Sequence, residues 1–302
     1  MNLQTLNNEF GRDQQCQFVE EKAGFIFIKL QSKLAVATIS LYGGQVLSFT
    51  AEHADSDLLF LSNKAWFETG KSIKGGCPIC WPCFAQHADN ALMPFHGFVR
   101  NQNWDVKAVE VNEQDEVEIS LSISDNENSR AIWPYKFELI QKITIGKQLR
   151  IELITCNTGD QAFEITQAIH TYFSVGDIHQ VSINGFDEKY YLDKVTGFAE
   201  KKQQGAIRFN SEVDRIYLDV SNALVIDDES LSRKIIIESE HSQTAIVWNP
   251  WEKISHESVD LDNESYLQFV CVETANAGKE LLTVLPGESH SLVACYSIEN
   301  VC

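Results

Sequence analysis

The sequence predicts an all-β fold, an antiparallel β-supersandwich formed by one domain over residues 1–302. Three observations predict it. Apolar residues alternate with period two along most of the chain, as they do in strands with one face buried. The alternating segments follow one another at short spacing with turn residues between them, which argues for antiparallel pairing over βαβ units. Helical periodicity is sparse, and no stretch carries a sustained amphipathic helix.

Taken in order, Gly24–Leu30, Lys33–Ile39 and Glu116–Ile123 alternate or run apolar and are read as strands. Phe137–Ile145 and Leu149–Ile154 follow, separated by the Gly146-Lys-Gln turn. Further strands are expected at Phe163–Thr171, Leu224–Asp227, Lys234–Glu238, Thr244–Trp248, Tyr266–Glu273 and Ser289–Ile298. Ser62–Trp66 suits a short turn, and Tyr191–Arg215, the least regular stretch, is expected to form loops over one face. No tandem repeat or low-complexity linker divides the chain.

Charge narrows the partners. The chain has 24 Lys+Arg against 43 Asp+Glu, a formal balance of −19, which repels nucleic acid and anionic membranes. An anionic ligand would need cations gathered locally against that field, which singles out Lys74, Arg100 and Arg130. The first ten residues have neither the basic nor the apolar region of a signal peptide, and no apolar run reaches the ~18 residues that span a bilayer. Most of the eight cysteines lie in apolar runs, where cysteine behaves as a small hydrophobe. A reduced cytoplasmic setting and a monomer are therefore expected.

The densest chemistry lies in Lys74–Pro82 (Lys-Gly-Gly-Cys-Pro-Ile-Cys-Trp-Pro) and Pro94–Arg100 (Pro-Phe-His-Gly-Phe-Val-Arg). Glycine lets backbone approach a ligand closely, proline fixes the loop, and each stretch carries a cation. Cys77, Cys80 and Cys83 offer a second reading as a zinc or iron–sulfur site, with His87 or His96 as a further ligand; no second C-x-x-C pair exists elsewhere. Glu273 ends the apolar run Phe269–Val272, and His170 follows Gln167-Ala-Ile, so each titratable side chain is expected at a strand end among apolar neighbours. A buried carboxylate and a buried imidazole can serve as base and acid, although each is also compatible with an ordinary core or rim residue. Asp214 stands beside Arg215, and Trp248-Asn-Pro-Trp251 forms a turn whose indoles could stack on a sugar.

In order along the chain, Gly75–Pro82, His96-Gly-Phe-Val-Arg100-Asn, Ile169-His-Thr-Tyr-Phe173, Asp214-Arg-Ile-Tyr217, Trp248–Trp251 and Val272-Glu-Thr274 resemble the hexose-6-phosphate mutarotases, or glucose-6-phosphate 1-epimerases, of the aldose 1-epimerase superfamily. The resemblance implies a galactose mutarotase-like β-supersandwich that interconverts the α and β anomers of an aldose phosphate without metal or organic cofactor. It implies His170 as general acid and Glu273 as general base, with the imidazole protonated and the carboxylate ionised. Asp214 would hold a sugar hydroxyl, His96 would lie beside the ring, and Lys74 and Arg100 would take the phosphate. Two positions depart from the family pattern: Lys74 stands where arginine is usual, and Phe95 where some members are polar. Lysine lacks arginine's bidentate fork. Two alternatives remain at this stage, a mutarotase of unphosphorylated aldoses and a non-catalytic carbohydrate-binding protein, which would have no need of both His170 and Glu273.

Overall fold

A computed structural model describes residues 1–87 and 89–301. A nine-stranded antiparallel sheet runs, in spatial order, through Ile207–Arg208, Val181–Asn184, Leu224–Asp228, Arg233–Glu240, Ser289–Asn300, Leu149–Asn157, Phe137–Ile145, Val117–Ser124 and Asp105–Val111. An eight-stranded sheet runs through Ala199–Lys202, Tyr190–Asp193, Val213–Tyr217, Thr244–Asn249, Phe269–Asn276, Gln167–Ile169 and Ile79–Cys80, with Tyr172–Ser174 also paired to Phe269–Asn276. The four strands Cys16–Glu20, Ile26–Gln31, Ala35–Ser40 and Gln45–Ala51 form a meander, and Phe163–Ile165 with Leu282–Val284 form a two-stranded ribbon.

The large sheets face one another across a core that includes Leu139, Ile151, Leu153, Ile169, Val270, Val272 and Leu292. Hydrogen bonds cross that core where a polar side chain would otherwise be stranded. Trp81 Nε1 donates to Thr155 Oγ1 at 2.9 Å, the Thr171 and Tyr296 hydroxyls meet at 2.6 Å, and those of Ser239 and Thr274 meet at 2.8 Å. Each ties the eight-stranded sheet to the nine-stranded one, because an unpaired buried polar group costs more than the net gain of a typical hydrogen bond.

Four expectations need correction. Tyr191–Arg215 is not a set of loops: it supplies edge strands of both sheets. Ala199–Lys202 is exposed along its whole length, so it shows no alternation, and pairing with Tyr190–Asp193 fixes it instead. Phe163–Thr171 is not one strand. It breaks at Thr166, whose N–H donates to Pro82 O at 3.1 Å, and resumes in a different sheet. The strand carrying Glu273 starts at Phe269 and continues to Asn276, which places Glu273 inside it. Asn276 looks like a turn residue, yet it accepts from Gln167 Nε2 at 2.9 Å and donates to His241 O at 2.8 Å. Finally, Leu3–Phe10 is a helix, N-capped by the Asn2 side chain and burying Leu6 and Phe10. Its short apolar stripe is too brief to stand out by periodicity.

Candidate active site

The sequence element that builds the site is Gly75–Pro82. It leaves the meander and lies alongside Gln167–Ser174. The His170 N–H donates to Pro78 O at 2.9 Å, and the Tyr172 N–H donates to Gly76 O at 2.9 Å. Gly76 has φ +62°, and a Cβ there would lie 2.1 Å from Val46 O, so no other residue fits. The strand Gln167–Ile169 stops at His170, and its neighbour Tyr172–Ser174 resumes on the same partner strand. His170 therefore occupies a gap in the ladder with its ring free to face a ligand. Its ring stacks on Tyr172, centroids 5.0 Å apart, and meets Trp248 edge-on at 6.0 Å.

Glu273 approaches from the central strand, opposite Ile246 in the register. Its Oε1 lies 3.3 Å from His170 Nε2, and the side chain is 1% exposed. The other ends of both groups, His170 Nδ1 and Glu273 Oε2, are buried without a hydrogen-bond partner. Native proteins rarely leave such atoms unpaired, and the side chains that carry them line a polar cavity, as a site made for a polar ligand does. Burial first, then the positive charges of Arg100 and Lys74, pull the His170 imidazole down to about 3. Burial first, then the Asp214 carboxylate, push Glu273 well above the ordinary carboxylate range. Both shifts favour the uncharged forms, whereas the charges expected from the sequence are a protonated imidazole and an ionised carboxylate. The physical reason is that desolvation penalises both charged forms before their mutual attraction can act.

His96 arrives on the turn that closes against Trp81. Gly97 has φ +73°, and a Cβ there would lie 1.9 Å from Trp81 O. His96 itself is left-handed at φ +65°, a strain that recurs at ligand sites. The Ala85 N–H donates to His96 Nδ1 at 3.0 Å, which fixes the neutral tautomer and leaves Nε2–H as a donor. Burial, reinforced by His170 and the nearby cations, keeps this ring neutral throughout the ordinary range. Its centroid is 5.5 Å from that of His170.

A cavity of about 240 Å³ joins these groups to Ser72, Lys74, Phe84, Phe95, Arg100, Tyr172, Lys194, Asp214, Ile246 and Trp248. All six site residues named from the sequence therefore line one pocket. Lys74 Nζ lies 3.7 Å from Asp260 and 5.9 Å from the Trp248 ring centroid. Arg100 Nη2 donates to Phe95 O at 2.8 Å, its Nε is buried without a partner, and no carboxylate among the described residues forms an ion pair with it. Arg130 instead pairs with Asp125 on the short helix Glu127–Ile132, away from this lining. Trp251 packs on Tyr266 and His179, so only Trp248 of the two tryptophans reaches the pocket. Lys194 was invisible as a lone lysine in an irregular stretch, whereas Tyr172 could have been found two residues from His170 on the same face. The three cysteines do not converge: Cys77 and Cys83 pack in the main core, and Cys80 packs in another cluster with Phe84, Ala168 and Ile246.

An antiparallel supersandwich with a buried imidazole–carboxyl pair in a polar cavity defines a proton-transfer enzyme acting on a small hydroxylated ligand. The family model for aldose 1-epimerase matches residues 27–297, and the chain belongs to that family of sugar isomerases. It is 36% identical over 244 residues to an Escherichia coli (strain K12) protein provisionally named glucose-6-phosphate 1-epimerase, covering 80% of each chain. A Cenchrus ciliaris protein of the same provisional name is 36% identical over 261 residues, covering 83% of this chain and 78% of the relative. Among solved structures, a mutarotase from Salmonella typhimurium, YeaD, also provisionally named, superposes with TM-score 0.88 at 30% identity. It covers 95% of this chain and 94% of its own.

Proposed function

We propose that this chain interconverts the α and β anomers of a hexose 6-phosphate, with glucose 6-phosphate as the leading candidate. The observation that carries the chemistry is the 3.3 Å approach of His170 Nε2 to Glu273 Oε1, with the far atom of each buried and unpartnered and both side chains lining the cavity. Anomerisation removes a proton from the C1 hydroxyl and delivers one to the ring oxygen as the C1–O5 bond breaks. Rotation about C1–C2 and reclosure reverse both transfers. Ionised Glu273 takes the first proton and protonated His170 supplies the second. His96 donates its Nε2–H to the ligand, Asp214 accepts from a hydroxyl, and Trp248 offers an apolar face to the ring.

The phosphate reading rests on Arg100 and Lys74, and on the names of the relatives. Arg100 is a cation in an acidic protein that forms no ion pair with a carboxylate among the described residues, as a group waiting for an external anion does. A bound phosphate also bears on the acid/base pair. It offsets the Arg100 and Lys74 charges that depress His170 and so raises the imidazole toward protonation; because Arg100 also lowers Glu273, the same anion pushes the carboxyl toward its protonated form too. An anomerisation assay on glucose 6-phosphate, galactose 6-phosphate and glucose tests this function. Acceleration of a hexose phosphate well above free glucose is expected, and acceleration of glucose alone would overturn the phosphate reading. We read residues 1–302 as one catalytic unit acting as a monomer in the cytoplasm.

A further inference from the structure

Lys194 has no role in the account so far, yet it lines the same cavity as His170 and Glu273. It starts the one-turn helix Lys194–Thr196 at the edge of the eight-stranded sheet. That turn is held in place. The Asp193 carboxylate accepts from the Val195 N–H at 3.1 Å and pairs with Lys201 at 2.6 Å, and Gly197 ends the turn in the left-handed region. From there Lys194 Nζ reaches Asp214 Oδ2 at 2.5 Å, across from a different strand, with both side chains largely buried at 21% and 17% exposed. Phe84 lies below the ammonium, its ring centroid 5.9 Å away.

Neither partner is used up by this pair. An ammonium has three donors and one is committed; a carboxylate has two oxygens and one is committed. No other side-chain hydrogen bond ties either group to the described residues. The pair therefore presents a donor and an acceptor side by side at the cavity wall. Neighbouring hydroxyls on a sugar ring present the complementary pattern, since one oxygen can accept while the adjacent O–H donates. We propose that Lys194 and Asp214 act as one donor–acceptor pair reading two adjacent ring hydroxyls, with Lys194 a specificity-determining residue. The proposal rests on the sugar reading above and extends it to a position that binds neither the anomeric centre nor the phosphate.

The test compares kcat/KM of the wild type, Lys194→Met, Lys194→Gln and Asp214→Asn on glucose 6-phosphate and its 2-, 3- and 4-deoxy analogues. In the wild type, two adjacent deoxy positions are expected to cost about 10- to 100-fold each, the worth of a hydrogen bond to a charged group. In both Lys194 variants the penalty at one of these positions falls to within about threefold, and in Asp214→Asn the penalty at the adjacent one does so. Equal losses on every substrate, with the ratios preserved, would show a merely structural lysine and overturn the proposal. So would loss of preference for glucose 6-phosphate over glucose with the hydroxyl ratios intact, which would assign Lys194 to the phosphate. If the wild type acts on glucose alone, the phosphate reading falls, and the same ratios on glucose and its deoxy analogues decide the Lys194 proposal independently.

Discussion

The hairpin Phe137–Ile145/Leu149–Asn157 and the strand Phe269–Asn276 are both central antiparallel strands, and they are built in opposite ways. Along both arms of the hairpin every second residue is buried and the alternate ones are half-exposed. Along Phe269–Asn276 every residue is buried, and three of the eight are Glu273, Thr274 and Asn276. The hairpin is a stability element: its inward face is mostly apolar, with Gln141, Thr155 and Asn157 as buried polar exceptions, and its outward face is half-exposed. The central strand of the other sheet covers the core on one face and lines a cavity on the other. Buried polar groups there must be bonded to other strands, as Thr274 is to Ser239 and Asn276 to Gln167, or stay unpartnered within the protein, as Glu273 Oε2 does. Stability and chemistry are thus assigned to different sheets.

Substitution separates the two roles most sharply at the acid/base pair. Glu273→Gln and His170→Asn should each lower kcat for anomerisation by about 10²- to 10⁴-fold, with thermal midpoints by circular dichroism within a few degrees of wild type. Losses of only a few fold in both would dissolve the distinction. In the hairpin, Leu139→Ala should cost about 2–5 kcal/mol of unfolding free energy by denaturant titration. Its kcat at a temperature where it remains folded should stay near the wild-type value.

A smaller effect is expected at the cations. Arg100→Ala should raise KM for glucose 6-phosphate by about 10- to 100-fold, with little change for free glucose. Inorganic phosphate added to wild type should speed turnover of free glucose and should not do so in Arg100→Ala. A phosphate that only inhibits would separate substrate binding from the charging of His170.

The smallest effect lies in the pH dependence of stability, where the two groups oppose each other. His170 is held at about 3 against an ordinary 6.5, so between those values the unfolded chain binds its proton more readily and stability falls as pH falls. Glu273 is raised well above 4.5, so above that value the folded chain holds the extra proton and stability falls as pH rises. Above about 4.5 the two slopes oppose each other and flatten the profile into a plateau, and below it His170 alone costs up to about 1.4 kcal/mol per pH unit as pH falls toward 3. Denaturant midpoints of wild type minus those of the His170→Asn/Glu273→Gln double variant should trace that plateau. A difference with one steady slope throughout would show that the two groups do not oppose each other.

Legibility in the sequence follows the same division. The hairpin was readable because period-two burial writes period-two hydropathy into the chain, and Leu224–Asp227 and Ser289–Ile298 were readable for the same reason. The edge strand Ala199–Lys202 was not, because a fully exposed strand has no apolar face to alternate. The end of the strand carrying Glu273 was misplaced because Thr274-Ala-Asn276 is polar, and much of its polarity is satisfied by distant partners such as Gln167, 109 residues away.

The sequence by itself determined the all-β architecture, the family and the identities of His96, Arg100, His170, Asp214 and Glu273. Each of these lies in a local motif whose chemistry can be named from residue types. Tertiary structure alone decided that these residues share one cavity and that Lys194 joins them beside Asp214. It also decided that burial disfavours the charged form of both His170 and Glu273. The reason is physical: proton affinity depends on desolvation and on charges brought together from distant strands, and neither quantity is carried by a local stretch of chain.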